Sequence, residues 1–136
     1  MTKMIRKHPG LSLTIIGAAM AIVLATAVVS SRATSVTETR EIVLVAKGMA
    51  FHSEQQPEET NPHVKLNKGE TVKLTILNEE PGQIFHCFTV PGLRLKTTRH
   101  LMEGESETIL FTPKKKGVFT YTCMLHPMMT GKISVD

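Results

Sequence analysis

The sequence predicts an all-β domain, a small antiparallel sandwich, set behind one apolar N-terminal segment. Three observations predict it. After residue 33 no long stretch repeats its apolar residues at the 3.6-residue helical period. Short segments alternate apolar and polar residues with period two instead. Turn-forming residues separate them, at Asn67-Lys68-Gly69, Pro81-Gly82, Pro91-Gly92, Glu103-Gly104 and residues 113–117. The 136 residues allow one domain and a short extra segment. Hydrophobic types at 41% and charged types at 21% exclude a chain dominated by disorder. Two cysteines are too few for a disulfide-stapled miniprotein.

The N-terminal segment comes first. Residues 11–29 (LSLTIIGAAMAIVLATAVV) carry no charge and follow Lys3, Arg6 and Lys7. A basic start before an apolar run reads as a secretory signal or a signal anchor. The run is long enough to span a bilayer as a helix, and its basic flank keeps that end cytoplasmic. Ala25-Thr26-Ala27 offers a cleavage site, so removal and retention both stay open, with retention favoured. Residues 1–33 are therefore assigned as signal peptide or membrane anchor, 34–40 as linker and 41–136 as the folded domain. That domain works outside the cytoplasm, in the periplasm or on the extracytoplasmic membrane face. The net charge of +4 also belongs to this end: Lys3, Arg6, Lys7 and Arg32 account for it, and residues 34–136 balance. A neutral domain has no phosphate-binding stripe, so a nucleic-acid partner is not expected.

Strand candidates follow in order. Residues 41–46 (EIVLVA) are the first. Residues 71–78 (TVKLTILN) put Val72, Leu74 and Ile76 on one face and Thr71, Lys73 and Thr75 on the other. Further candidates are 84–90 (IFHCFTV), 107–112 (ETILFT), 117–123 (GVFTYTC) and 131–135 (GKISV). Segments 47–63 and 92–104 remain as longer connections. The triple Lys114-Lys115-Lys116 reads as a plain turn between Pro113 and Gly117.

The strongest chemical signal is Cys123-Met124-Leu125-His126-Pro127-Met128-Met129, in which a thiol, an imidazole and a thioether recur at three-residue steps after a strand. Alternation places Phe119, Tyr121 and Cys123 on one inward face. A thiolate, two imidazoles and a weak axial thioether make a type 1 copper site. The second imidazole must come from elsewhere, and His86 is the best candidate of the six histidines because it lies in a strand near a turn. His8 precedes the apolar run; His52, His63 and His100 lie in connections. Zinc fits poorly, since it takes four strong ligands and Met is not one. A Cys-His hydrolase would need an orienting third group and an oxyanion hole, which no motif supplies. Met128 competes with Met129 as the axial residue. A weak second metal site at His52 and His63, near Glu54, Glu58 and Glu59, competes with a solvated loop, which is the default. Arg94, Lys96, Arg99 and His100 could steer an acidic partner, against a plain solvated connection.

Residues 41–136 resemble the cupredoxin family of small type 1 blue copper proteins, amicyanin- and plastocyanin-like. The residues that carry the likeness are Gly117-Val118-Phe119-Thr120-Tyr121-Thr122-Cys123, Cys123-x2-His126-x2-Met129 with Gly131-Lys132 after it, and His86-Cys87-Phe88-Thr89-Val90-Pro91-Gly92. The resemblance implies a Greek-key β-sandwich. It implies one copper ion, cycling between Cu(I) and Cu(II), held by His86, Cys123 and His126 with Met129 axial. It further implies one-electron transfer rather than turnover of a substrate. One residue departs from the pattern: many members carry Asn after the first histidine, where it ties the two ligand segments together, and here the residue is Cys87. Three readings of Cys87 compete: a small buried residue pointing away from the metal, a disulfide partner of Cys123 in metal-free protein, and, least favoured, a second copper ligand.

The leading functional expectation is an exported electron carrier, monomeric, working with redox protein donors and acceptors and held to the membrane through its N-terminal segment. Apolar Leu125, Pro127 and Met128 around His126 read equally as its docking face or as ordinary loop packing. The alternative is a carrier or resistance protein that handles Cu(I) through Met124, Met128, Met129 and the thiolate. A copper enzyme is not expected, because a second copper site needs further histidines and no His-x-His arrangement exists.

Overall fold

Nine strands and one short 3-10 turn build two facing sheets in the computed structural model, which describes residues 38–136. The assignments of residues 1–33 as signal or anchor helix, and most of the 34–40 linker, lie outside the described residues. The first sheet has the order β2-β1-β4-β7, from Ala50–His52, Arg40–Lys47, Val72–Asn78 and Ser106–Phe111. The second has the order β3-β9-β8-β5-β6, from Val64–Leu66, His126–Val135, Gly117–Cys123, Thr89–Val90 and Leu95–Lys96. The two-sheet sandwich is the expected one. It is not purely antiparallel, however: β1 runs parallel to β4, and β3 parallel to β9. Neither pair is joined by a hairpin, so each can be parallel without a helical crossover.

Alternation sets the core. β4 buries Val72, Leu74, Ile76 and Asn78 while its other face stays partly exposed. β1 contributes Ile42, Leu44 and Ala46 from the same sheet, and β8 contributes Phe119, Tyr121 and Cys123 from the opposite one. Between the layers, Phe51, Phe88 and Tyr121 meet ring against ring at centroid separations of 5.3–5.7 Å. Such contacts add to the area they bury. Tyr121 also donates its hydroxyl to the Pro62 carbonyl at 2.8 Å, so its polar end is satisfied in the core.

Strand bounds differ from the sequence reading at two places that matter for the site. Only Thr89–Val90 of the expected strand 84–90 is regular; His86 joins Leu101 through an isolated bridge. Every residue from His86 to Val90 is buried, so no alternation survives there. The last strand is the other case. It begins at His126 rather than 131 and takes in the loop. The connection 47–63 also holds β2, and 92–104 holds β6.

Candidate metal centre

A tight hairpin positions the Cys-His loop. Strands β8 and β9 pair in register through Tyr121↔Gly131 and Thr122↔Thr130, then slip so that Cys123 faces His126. Met124 and Leu125 form the turn, and residues 127–129 bulge from β9. The Thr130 hydroxyl closes the bulge onto the Pro127 carbonyl at 2.7 Å. The slip brings His126 back beside Cys123 and turns one of the two adjacent methionines inward. Met129 is 0% exposed and Met128 is 63% exposed.

The His86 segment is held by a residue that the motif reading missed. The Asn78 side-chain amide donates to the Ile84 and Leu101 carbonyls, each at 2.8 Å, and its Oδ1 accepts the Glu80 N–H at 2.8 Å. His86 and Leu101 exchange backbone hydrogen bonds of 3.0 and 2.7 Å. Asn78 thus clamps both neighbours of the ligand candidate. A signal for it existed: it stands on the inward parity of β4, where a polar residue needs partners.

Together these elements gather His86 Nδ1, Cys123 Sγ and His126 Nδ1. The sulfur lies 4.0 Å from the first nitrogen and 3.7 Å from the second. Among the described residues, these three form the one His, Cys, Asp or Glu group whose donor atoms all lie within 4.8 Å of one another. The His86 ring is fully buried, and its other nitrogen, Nε2, has no hydrogen-bond partner; Glu80 Oε2 stands 3.6 Å away. A proton on Nε2 faces that carboxylate and leaves the Nδ1 lone pair directed at the sulfur. Two imidazole nitrogens and a cysteine sulfur this close suit a soft-to-borderline metal ion, and copper fits the set.

Burial pushes His86 below its ordinary 6.5, the His126 charge pushes the same way, and Glu80 offsets part of the shift. The unfolded chain therefore takes up this proton first as pH falls. Metal-free protein should keep the full contribution of a neutral His86 above about pH 6.5 and lose it as pH falls through the window below. Thermal melts of metal-free protein across that window should show a falling midpoint, and His86→Gln should remove part of the slope.

Cys87 is buried and is not in the ligand group, but it does not point away from the site. Its Sγ lies 3.5 Å from Cys123 Sγ and accepts the Met124 N–H at 3.3 Å. Its own N–H donates to Cys123 Sγ at 3.3 Å. The strand argument failed because residue 87 lies outside regular structure, with protein on both sides. The tie between ligand segments thus persists, carried by a thiol. Burial raises the Cys87 pKa, which keeps it a neutral thiol.

The remaining candidates disperse. His52 Nε2 meets the Lys47 carbonyl at 3.0 Å, and the His63 N–H meets Glu59 at 3.4 Å. With Glu54 and Glu58 they form no ligand group among the described residues, and His63 Nε2 is buried without a hydrogen-bond partner. Arg99 pairs with Glu105 at 2.6 Å, yet with Lys96, His100 and Met124 it lines a cleft of about 350 Å³. Arg94 lines a different cleft, with Phe111 and Lys114.

The cupredoxin-like domain family matches residues 18–135. The chain belongs to the cupredoxin family. Among solved structures, it superposes on rusticyanin from Thiobacillus ferrooxidans with a TM-score of 0.58 and 22% identity, covering 72% of this chain and 77% of that one. For the cuprous form of an amicyanin variant the TM-score is 0.50 and the identity 23%, over 71% and 82% of the two chains. A copper nitrite reductase from Nitrosomonas europaea gives 0.57 and 25% over 73% of this chain. The cupredoxin spans only 42% of that reductase chain. Curated proteins give no match at the sequence level.

Proposed function

We propose that this cupredoxin is a blue copper protein that carries single electrons outside the cytoplasm, without turning over a substrate. The observation that carries the reading is the triangle of His86 Nδ1, Cys123 Sγ and His126 Nδ1 beside a fully buried Met129. His86, Cys123 and His126 would hold the ion, and Met129 would supply a weak thioether donor. When bound, copper supplies a one-electron couple between Cu(II) and Cu(I). The chain's own contribution is a fixed mixed set of hard and soft donors. Imidazole serves the cupric state and sulfur the cuprous state, so neither demands a new ligand. Asn78 and the β8–β9 hairpin hold these donors in folded backbone, and a rigid cage keeps reorganisation on electron transfer small. The Cys87 N–H withdraws charge from the Cys123 sulfur and so sets its donor strength.

Docking follows from the surface. His126 is half-buried, and exposed Met124, Leu125 and Met128 surround it in sequence, with Phe85 and Met102 beside the His86–Leu101 bridge. These apolar residues form the face on which redox protein donors and acceptors would sit, the chain itself acting as a monomer. Export, with tethering through residues 11–29 where that segment is retained, is supported by the basic-then-apolar start. Cu(II)-loaded protein should show the strong thiolate-to-copper absorption and the paramagnetic signature of a type 1 site, and should cycle reversibly. Met129→Ala should alter both the band pattern and the reduction potential, whereas Met128→Ala should leave both in place. Equal effects of the two would overturn the donor role of Met129.

A second reading has its own support. Met124 and Met128 are mostly exposed and, with Met129 and the thiolate, could pass Cu(I) to a partner. A Cu(I) carrier would release metal to a cuprous chelator within minutes and show no intense absorption when oxidised.

A further inference from the structure

We infer that Cys87 and Cys123 are a redox-modification site: in metal-free protein they join in a reversible disulfide that closes the ligand pocket. These are the chain's two cysteines, both buried and both free. They come from neighbouring segments, since β5, which begins two residues after Cys87, pairs with β8 at Thr89↔Thr122, next to Cys123. Their sulfurs lie 3.5 Å apart, and each takes a backbone N–H from the other segment. A bond requires the sulfurs to close by roughly 1.5 Å, to the S–S length of about 2.05 Å.

The site has no need of Cys87 as a ligand, for it lies outside the donor group. Its hydrogen-bonding role could be filled by a non-redox residue. A thiol there adds one property that serine or asparagine would lack, a partner for the ligand sulfur. The oxidant is a low-molecular-weight disulfide, RSSR, of the kind that persists outside the cytoplasm. One cysteine thiolate attacks a sulfur of RSSR and expels RS⁻, leaving a mixed disulfide on the protein. The second cysteine attacks that protein sulfur and expels the other RS⁻. Two protein thiols are oxidised, one RSSR is reduced to two RSH, and the cysteine protons pass to the leaving thiolates. Both sulfurs are buried, so the reagent reaches them when the exposed turn at Met124 and Leu125 opens. Within the disulfide, Cys123 offers no thiolate and is shielded from irreversible oxidation.

Bond formation stands independently of the copper reading; closure of the pocket rests on it. The test uses full-length metal-free protein incubated with hydroxyethyl disulfide, unfolded, alkylated and weighed intact. The expected product has lost two hydrogens, takes no alkyl group, and binds no Cu(II) with charge-transfer absorption until a reductant is added. Cys87→Ser under the same treatment should form no internal bond and should regain copper once any adduct is reduced. Two alkylated cysteines, two stable hydroxyethyl adducts, or linked dimers in the wild type would each overturn the inference. If the internal disulfide forms but reduced protein also lacks the absorption, the copper reading fails and the disulfide stands.

Discussion

Cys123→Ser should abolish the intense absorption of the Cu(II) protein altogether. Cys123 is the one cysteine whose sulfur lies close to both imidazoles, at 4.0 and 3.7 Å. The band needs a thiolate in the donor set, and a serine hydroxyl is a poor ligand for either oxidation state of copper. Affinity should fall by more than the roughly 10–100-fold that loss of an outer hydrogen-bond partner costs. The fold should survive, because a serine oxygen is smaller than sulfur and can still accept the Cys87 N–H. Optical and paramagnetic titration with Cu(II) reads the site, and circular dichroism of the same samples reads the fold. Cys87→Ser is the necessary companion. It should keep the band, shifted in energy and potential, because it leaves the backbone N–H on the ligand sulfur in place and changes only the side-chain contacts with that sulfur and with the Met124 N–H. A band that persists in the Cys123 variant and vanishes in the Cys87 variant would reverse the two roles.

The contrast between these cysteines shows where sequence reasoning had purchase. Cys123 follows a strand with clean alternation, and parity alone put its sulfur inward beside Phe119 and Tyr121. His126 was legible from its three-residue spacing, because the hairpin that sets the geometry is local. His86 needed the inventory of histidines, since its approach to Cys123 is a contact between distant segments that no local pattern records. Cys87 was misdirected by a parity rule applied where the strand had not begun. Asn78 was read only as the last residue of the 71–78 strand and Glu80 was not singled out, though the burial of Asn78 followed from parity. The parallel pairings of β1 with β4 and β3 with β9 were hidden for a different reason: strand order is a property of long-range packing, and the turn signals speak only for neighbours.

Gly131→Ala should destabilise the domain more than any other single-methyl change near the site. Gly131 pairs with Tyr121 across β8 and β9, and a Cβ there would overlap the Tyr121 ring at Cζ and its hydroxyl. The ring has nowhere to go. It stacks on Phe88, meets Phe51 edge-on and is fixed at its far end by the Pro62 carbonyl. Overpacking of a filled core costs about 1–3 kcal/mol, and a ring pinned at both ends puts this case toward the upper part of that range. For a domain of this size each kcal/mol lowers the melting midpoint by about 4–8 °C, so a fall of roughly 10–20 °C is expected. The consequence reaches the metal site, because Gly131 lies two residues beyond Met129 in the strand that carries His126. A shifted β9 should therefore disturb the copper spectrum as well as the melt. Tyr121→Leu removes the overlap at its own cost in packing. Combined with Gly131→Ala it should be less damaging than the two separate losses added together, which is the coupling expected of residues in contact. Strict additivity would mean that the glycine is required for its backbone rather than for the space it leaves to the tyrosine.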